Sequence, residues 1–87
     1  MSDTLTVLYF AWLRERIGLA EEQVCLPDGI ETVAGLVDYL STLDSVHAAV
    51  FQNCRVIRCA VNQEFADLRY PVCPGDEVAF FPPVTGG

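Results

Sequence analysis

The chain has 87 residues and a mass of 9.6 kDa, with twelve acidic residues against five basic ones, for a formal charge of −7 and an isoelectric point near 4.3. That length allows one small domain. Its folded surface, on the order of 5,000 Å², leaves roughly 60–65% of the extended-chain surface buried, enough for one modest core and too little to wall off a deep active site. A 52% hydrophobic fraction with only 20% charged residues excludes intrinsic disorder, and an acidic surface without a basic stripe argues against nucleic acid and against an anionic membrane as partners.

No apolar run approaches the length that crosses a bilayer, and Met1-Ser2-Asp3-Thr4 has no basic region ahead of an apolar block. A soluble, cytoplasmic domain is therefore expected. The four cysteines, Cys25, Cys54, Cys59 and Cys73, form no CxxC pair, and His47 is the only histidine, so no metal site is expected and the thiols read as structural. The basic residues are all arginine (Arg14, Arg16, Arg55, Arg58 and Arg69), which leaves the N-terminus as the only primary amine.

Along the chain, Thr4–Phe10 alternates Leu5, Val7 and Tyr9 against Thr4, Thr6, Leu8 and Phe10, the pattern of a strand. Ala11–Ile17, closed by Gly18, suits a short helical turn. Glu22–Leu26 reads as a second strand, stopped by the turn tripeptide Pro27-Asp28-Gly29. Thr32 is a candidate N-cap. After it Val33, Leu36, Val37, Leu40 and Leu43 recur at helical spacing, which predicts an amphipathic helix of about three turns with Gly35 as a weak point inside it. Val46–Phe51 suits another short helix. From Arg55 the period returns to two, with Ile57, Cys59 and Val61 on the apolar side and Val56, Arg58 and Ala60 on the other. Asn62–Asp67 reads as a polar turn that carries the aromatic Phe65, Pro74-Gly75-Asp76 as a second turn, and Glu77–Phe81 as a last strand with Val78 and Phe80 on its core face. The order β-β-α-β-(β)-β with one main helix is most simply buried as an α+β roll, a mixed sheet packed against that helix: the β-grasp. Residues 1–81 form the domain in this reading, and residues 82–87 an extended C-terminal tail.

That tail does not fit a core. Pro82 and Pro83 cannot donate to a ladder, and Gly86-Gly87, lacking Cβ atoms, can thread a gap closed to other residues. Glycine at both final positions arises by composition in only about one chain in two hundred, although a frayed terminus is the plain alternative. A terminal carboxylate is an ionised acceptor and a poor electrophile, so acyl or sulfur chemistry at Gly87 requires prior activation, for example as an acyl-adenylate. No GxSxG, Walker loop or HExxH motif competes with it.

The run Glu77-Val78-Ala79-Phe80-Phe81-Pro82-Pro83-Val84-Thr85-Gly86-Gly87 resembles the C-terminus of the small, sulfur-carrier subunit of molybdopterin synthase. Val7-Leu8-Tyr9-Phe10-Ala11, Arg14-Glu15 with Gly18, Ala60-Val61-Asn62-Gln63 and the Pro71…Gly75-Asp76 approach to the last strand are similar to the same family, while residues 20–55 match only in pattern. The resemblance implies a ubiquitin-like β-grasp fold, with Gly87 adenylated by an ATP-dependent activating enzyme and then thiocarboxylated with sulfur from a donor enzyme. Val84, Thr85 and Gly86, with Pro82 and Pro83, would thread the tail into the large synthase subunit. There the sulfur would pass to cyclic pyranopterin monophosphate to build the molybdopterin dithiolene. Two transfers per product imply a heterotetramer of two small and two large subunits. In this picture the chain binds no cofactor of its own, ATP is used by the activating enzyme, and the catalytic side chains of the sulfurtransferase lie on the large subunit.

Phe81 alternates outward from Phe80, Phe10 ends the more polar face of the first strand, and Phe65 sits in a polar turn. Three aromatics off the core face suggest an interface, and the resemblance places a partner-facing surface at these positions. An acidic rim would suit basic residues of the partner. A lysine-free carrier would also resist acylation by its own activated terminus. The alternatives are a sibling carrier of the same fold serving thiazole synthesis or tRNA thiolation, a ubiquitin-like protein modifier conjugated through Gly87, and a plain interaction module.

Overall fold

The alternation at the start of the chain becomes β1 (Thr4–Tyr9), with Leu5, Val7 and Tyr9 buried and Thr4, Thr6 and Leu8 half-buried, in a computed structural model that describes residues 3–52 and 57–83. It is followed by α1 (Ala11–Ile17), β2 (Glu21–Cys25), α2 (Val33–Leu40), α3 (Ser45–Phe51), β3 (Arg58–Val61), β4 (Glu64–Ala66) and β5 (Glu77–Phe81). The five strands form one mixed sheet in the order β2-β1-β5-β3-β4. β1 pairs antiparallel with β2 and parallel with β5, and β3 pairs antiparallel with both β4 and β5. The helices cover one face, where Leu13, Val33, Leu36, Leu40, Val50 and Phe51 meet Leu5, Val7, Tyr9, Cys59, Val61, Val78 and Phe80 in a single core. This is the expected β-grasp. None of the described helices is long and apolar enough to cross a membrane.

Three boundaries differ from the sequence reading. β1 stops at Tyr9 because Phe10 becomes the N-cap of α1, and the chain turns there through Ala11 at φ 55. β2 is shifted one residue toward the N-terminus. The helix expected to reach Leu43 ends at Leu40, since Ser41 and Thr42 turn their hydroxyls back onto the carbonyls of Val37 and Tyr39, the local competition that ends helices. Leu43 is left exposed. The polar stretch 62–67 also differs. Asn62 and Gln63, at φ 51 and 71, form a two-residue turn of the primed type, and Glu64–Ala66 returns as the edge strand β4. The Asn62 carboxamide ties this hairpin to β5 by accepting the Glu77 amide at 3.0 Å and donating to Asp76 at 3.1 Å.

Thr32 caps α2 as expected, accepting the Gly35 amide at 3.2 Å. The first two amides of the helix, Val33 and Ala34, donate to the carbonyls of Tyr70 and Leu68, and Leu36 donates to the Thr32 carbonyl. The bond from Leu36 is the first of the helix itself, and the three orphan donors ahead of it, Val33, Ala34 and Gly35, are thus satisfied, two of them by a segment more than thirty residues away in sequence. A Cβ at Gly35 would lie 3.2 Å from the Ile30 side chain, so the glycine admits Ile30 against the helix.

Beside the core a polar chain ties β1, β2 and α3 together. Buried His47 places Nε2 2.8 Å from Glu22 Oε2 and Nδ1 2.8 Å from Asp44 Oδ1, and the Tyr9 hydroxyl donates to the same Glu22 oxygen at 2.7 Å. Both ring nitrogens face carboxylates, and only the imidazolium has a proton for each. Burial alone would lower the His47 pKa, but Glu22 and Asp44 outweigh it and hold it above the ordinary 6.5. The stability this adds is complete below the unfolded-state value and is lost as pH rises through the folded one. Melting temperature is therefore expected to fall as pH is raised from about 6 to about 9, with His47→Gln flattening that slope. Parallel slopes for the two proteins in a thermal melt series would show that the imidazolium contributes nothing.

Candidate functional site on the open sheet face

The face of the sheet away from the helices is organised by register. Glu21 pairs with Leu8, Leu8 with Ala79, Ala79 with Ala60 and Ala60 with Phe65, so these five residues form one row across all five strands. One step toward the C-terminal end of β5, Phe81 pairs with Arg58, and Phe10 follows the Tyr9–Phe80 pair with its amide donating to the Phe80 carbonyl at 3.1 Å. Phe10, Phe81 and Arg58 therefore make a second row, next to the point where Pro82 and Pro83 leave the sheet. One step the other way lie Thr6, Gln23 and Glu77, with the Gln23 amide donating to the Thr6 hydroxyl at 2.7 Å. The face is thus apolar toward the tail and polar away from it.

All three aromatics expected off the core are on this face. Phe65 is 83% exposed and Phe10 47% exposed, while Phe81 is half-buried. Phe65 and Phe81 are brought into ring contact, with centroids 5.9 Å apart and planes inclined by 56°. Phe10 stands in the row of Phe81, just past the end of β1. Phe65 belongs to β4 rather than to a turn. A shallow cleft beside this pair is lined by Arg58, Cys59, Phe65, Ala66, Phe81 and Pro83. Pro82 and Pro83 are half-buried at its rim. The expectations for Val84, Thr85, Gly86 and Gly87 lie outside the described residues.

Sequence reasoning missed Leu8, Ala60, Ala79 and Arg58 as members of the surface. The period-two pattern carried the signal, since each falls on the outward parity of its strand, but small or isolated side chains attract no notice until register aligns them. On the opposite side of the sheet, Tyr9 stacks on Phe80 with centroids 6.4 Å apart, and Phe51 meets Phe80 edge-on at 5.0 Å. These packed rings hold the strand ends that present Phe10 and Phe81.

The Cys59 thiol is pushed up to about 11 by burial and by Asp67, and Cys73 is raised by the neighbouring Asp76. Both are held in the protonated, poorly nucleophilic form at neutral pH. Cys25, Cys59 and Cys73 are unbridged. Among the described residues no group of three or more His, Cys, Asp and Glu side chains is arranged to hold a metal ion.

Residues 7–87 match the ThiS family. The chain belongs to that family. This ThiS-family chain is 36% identical over 83 residues to the molybdopterin synthase sulfur carrier subunit of Escherichia coli K12, covering 95% of this chain and 99% of that protein. It is 37% identical over 83 residues to the protein of the same name in Haemophilus influenzae, with the same coverage. Among solved structures it superposes on SAMP1, small archaeal modifier protein 1, of Haloferax volcanii with a TM-score of 0.73 and 33% identity, over 97% of this chain and 99% of that one.

The two faces predict opposite responses to truncation. Phe80→Ala is expected to destabilise the fold by about 3–5 kcal/mol through the cavity it leaves. Phe65→Ala should cost at most about 1 kcal/mol, the value of its ring pair with Phe81. Urea unfolding of the two variants checks this, and a large loss for Phe65→Ala would mean that the open face is part of the core.

Proposed function

We propose that this chain is the sulfur carrier of a molybdopterin synthase and that its chemistry takes place at the carboxylate of Gly87. The observation that carries the reading is the position of the tail root. β5 is the middle strand of the sheet, and its outward aromatic, Phe81, pairs with Phe65 where Pro82 and Pro83 leave. A body held on a partner by this apolar face delivers whatever follows Pro83 in a fixed direction, and the next four residues, Val84-Thr85-Gly86-Gly87, end in the two side chains that need the least room. Family membership and the full-length likeness to proteins named as molybdopterin synthase sulfur carrier subunits support the same role.

In this reading an activating enzyme transfers AMP from ATP to the Gly87 carboxylate, releasing pyrophosphate. Sulfur supplied by the donor at the sulfide level then attacks the acyl carbon, the C–O bond to the phosphate breaks to release AMP, and the thiocarboxylate remains. The tail enters the large synthase subunit, where the sulfur passes to cyclic pyranopterin monophosphate. Two such transfers complete one dithiolene, which suits an assembly of two small and two large subunits in the cytoplasm. The large subunit docks on Phe10, Phe65 and Phe81, and Pro82 to Gly86 line its channel.

The decisive experiment incubates the purified chain with ATP, the cognate activating enzyme and its sulfur donor, then fragments the C-terminal peptide in a mass spectrometer. An oxygen-to-sulfur replacement is expected at Gly87 and nowhere else, and none in a chain lacking Gly87. If the wild-type carboxylate stays unmodified under these conditions, sulfur transfer is wrong.

The likeness to SAMP1 favours a second reading, a modifier joined through Gly87 to lysines of other proteins. Isopeptide-linked adducts from cells would support it. The lysine-free sequence bears on both readings, because an acyl-adenylate is open to attack by amines. Replacing Arg14 by Lys is expected to increase covalent self-adducts during adenylation on a denaturing gel, and an unchanged pattern would remove any protective role for the missing lysines.

A further inference from the structure

We infer that Asn62 is a positioning residue of the docking face that acts through Phe65. Its carboxamide locks the β3–β4 hairpin onto β5, so that the exposed Phe65 ring meets a partner already in place. The inference rests on the docking reading above and adds to it a residue outside the three rings.

Phe65 has little of its own to hold it. It is 83% exposed and sits on β4, an edge strand of three residues that pairs with β3 alone. Its position is therefore set by what anchors the two ends of β4. Beyond the strand, the carbonyls of Leu68 and Tyr70 are held by the first amides of α2. Ahead of it the anchor is Asn62. The Asn62 amide donates to the Glu77 carbonyl at 2.8 Å, which continues the β3–β5 ladder one step past the Val61–Val78 pair. In a regular antiparallel pair the Glu77 amide would return the bond to the Asn62 main-chain carbonyl. Here the carboxamide oxygen accepts it at 3.0 Å, while the carboxamide nitrogen donates to Asp76 Oδ1 at 3.1 Å.

Few residue types can do this. The turn holds position 62 at φ 51, a left-handed conformation that asparagine tolerates better than most side chains. Glycine would keep the turn and lose both side-chain bonds, and aspartate would keep the acceptor but face the Asp76 carboxylate. Asp76 is itself fixed. Its other carboxylate oxygen accepts the Cys73 amide at 2.9 Å, and its carbonyl accepts the Thr6 amide at 3.0 Å. The hairpin is thus tied through Asn62 to a turn bonded to β1, on the far side of β5. A ring held before binding loses little freedom on binding, whereas a ring on a frayed edge strand must be ordered at that moment. Loss of the carboxamide therefore weakens docking without altering Phe10, Phe65 or Phe81.

The test titrates the large molybdopterin synthase subunit of the same source with the full-length wild-type chain, Asn62→Gly, Phe65→Ala and the double variant, after circular dichroism has verified that each is folded. Phe65→Ala is the control for the docking reading and is expected to weaken binding about thirtyfold. Asn62→Gly is expected to weaken it about fivefold, and by less than about twofold when Phe65 is already replaced. A further pair of variants exchanges the two groups. Asn62→Asp should lose at least as much as Asn62→Gly, and adding Asp76→Asn should restore affinity to within about twofold of wild type. The amide donor and the carboxylate have then changed places, and the Cys73 amide keeps an acceptor. If Phe65→Ala loses affinity while Asn62→Gly binds as wild type, or costs the same factor with and without the Phe65 ring, the positioning role is overturned and the docking face stands. An exchanged pair that binds no tighter than Asn62→Asp overturns it likewise. If the wild type forms no complex, or Phe65→Ala binds as well as wild type, the docking face is wrong and this inference falls with it.

Discussion

Everything the open face does depends on β5 being clamped in the middle of the sheet. Its neighbours are β1, from the other end of the chain and parallel to it, and β3, antiparallel. A parallel pairing between the first and last strands closes only after the intervening chain has crossed over, so the fold is complete only when the strand that carries the tail is in place. The tail root is bonded on both sides, from Thr6 donating to the Asp76 carbonyl at one end to Phe10 donating to the Phe80 carbonyl at the other. A chain end held in this way has a defined starting point and direction, which an end hanging from an edge strand would lack.

The same clamp divides the labour between the two faces. Alternate residues of β5 point to opposite sides, so Val78 and Phe80 belong to the core while Ala79 and Phe81 belong to the surface. Neighbouring rings thus serve different ends, since Phe80 is stacked on Tyr9 and meets Phe51 edge-on while Phe81 is offered outward with Phe65. Among the described residues no second layer covers the outer face, and an exposed apolar face of this kind suits burial against a partner. The loop after β4, by capping α2 through Leu68 and Tyr70, links the helix layer to the hairpin that presents Phe65.

What was legible in the sequence follows from how local its cause is. Alternation in β1 and β5 and the caps at Thr32 and Gly18 depend on near neighbours, and these were read to within a residue. Leu43 kept helical spacing, yet Ser41 and Thr42 end α2, because a hydroxyl competing for a carbonyl outweighs one more apolar residue. β4 is three residues long, too short for any period to emerge, and its polar composition hid a strand that only β3 can pair. That Phe10, Phe65 and Phe81 leave the core could be inferred one by one, whereas the contact between Phe65 and Phe81 and the place of Arg58 required strand order and register. The bond from His47 to Glu22 spans 25 residues, and no spacing rule anticipates it.

The body of the domain is also chemically quiet in a way that suits a carrier. Where its surroundings move a titratable group, they move it away from reactivity. Burial and Glu22 hold the Tyr9 hydroxyl protonated, burial and Asp67 do the same for the Cys59 thiol, and Asp76 for Cys73. His47, the residue best suited to act as a base near neutral pH, is buried between two carboxylates that engage both its ring nitrogens and raise its pKa. A protein whose own activated terminus is the cargo gains from this arrangement. An acyl-adenylate is open to any thiolate, phenolate or free imidazole that reaches it, so groups held protonated or paired do not compete with the sulfur donor for the terminal carbonyl carbon.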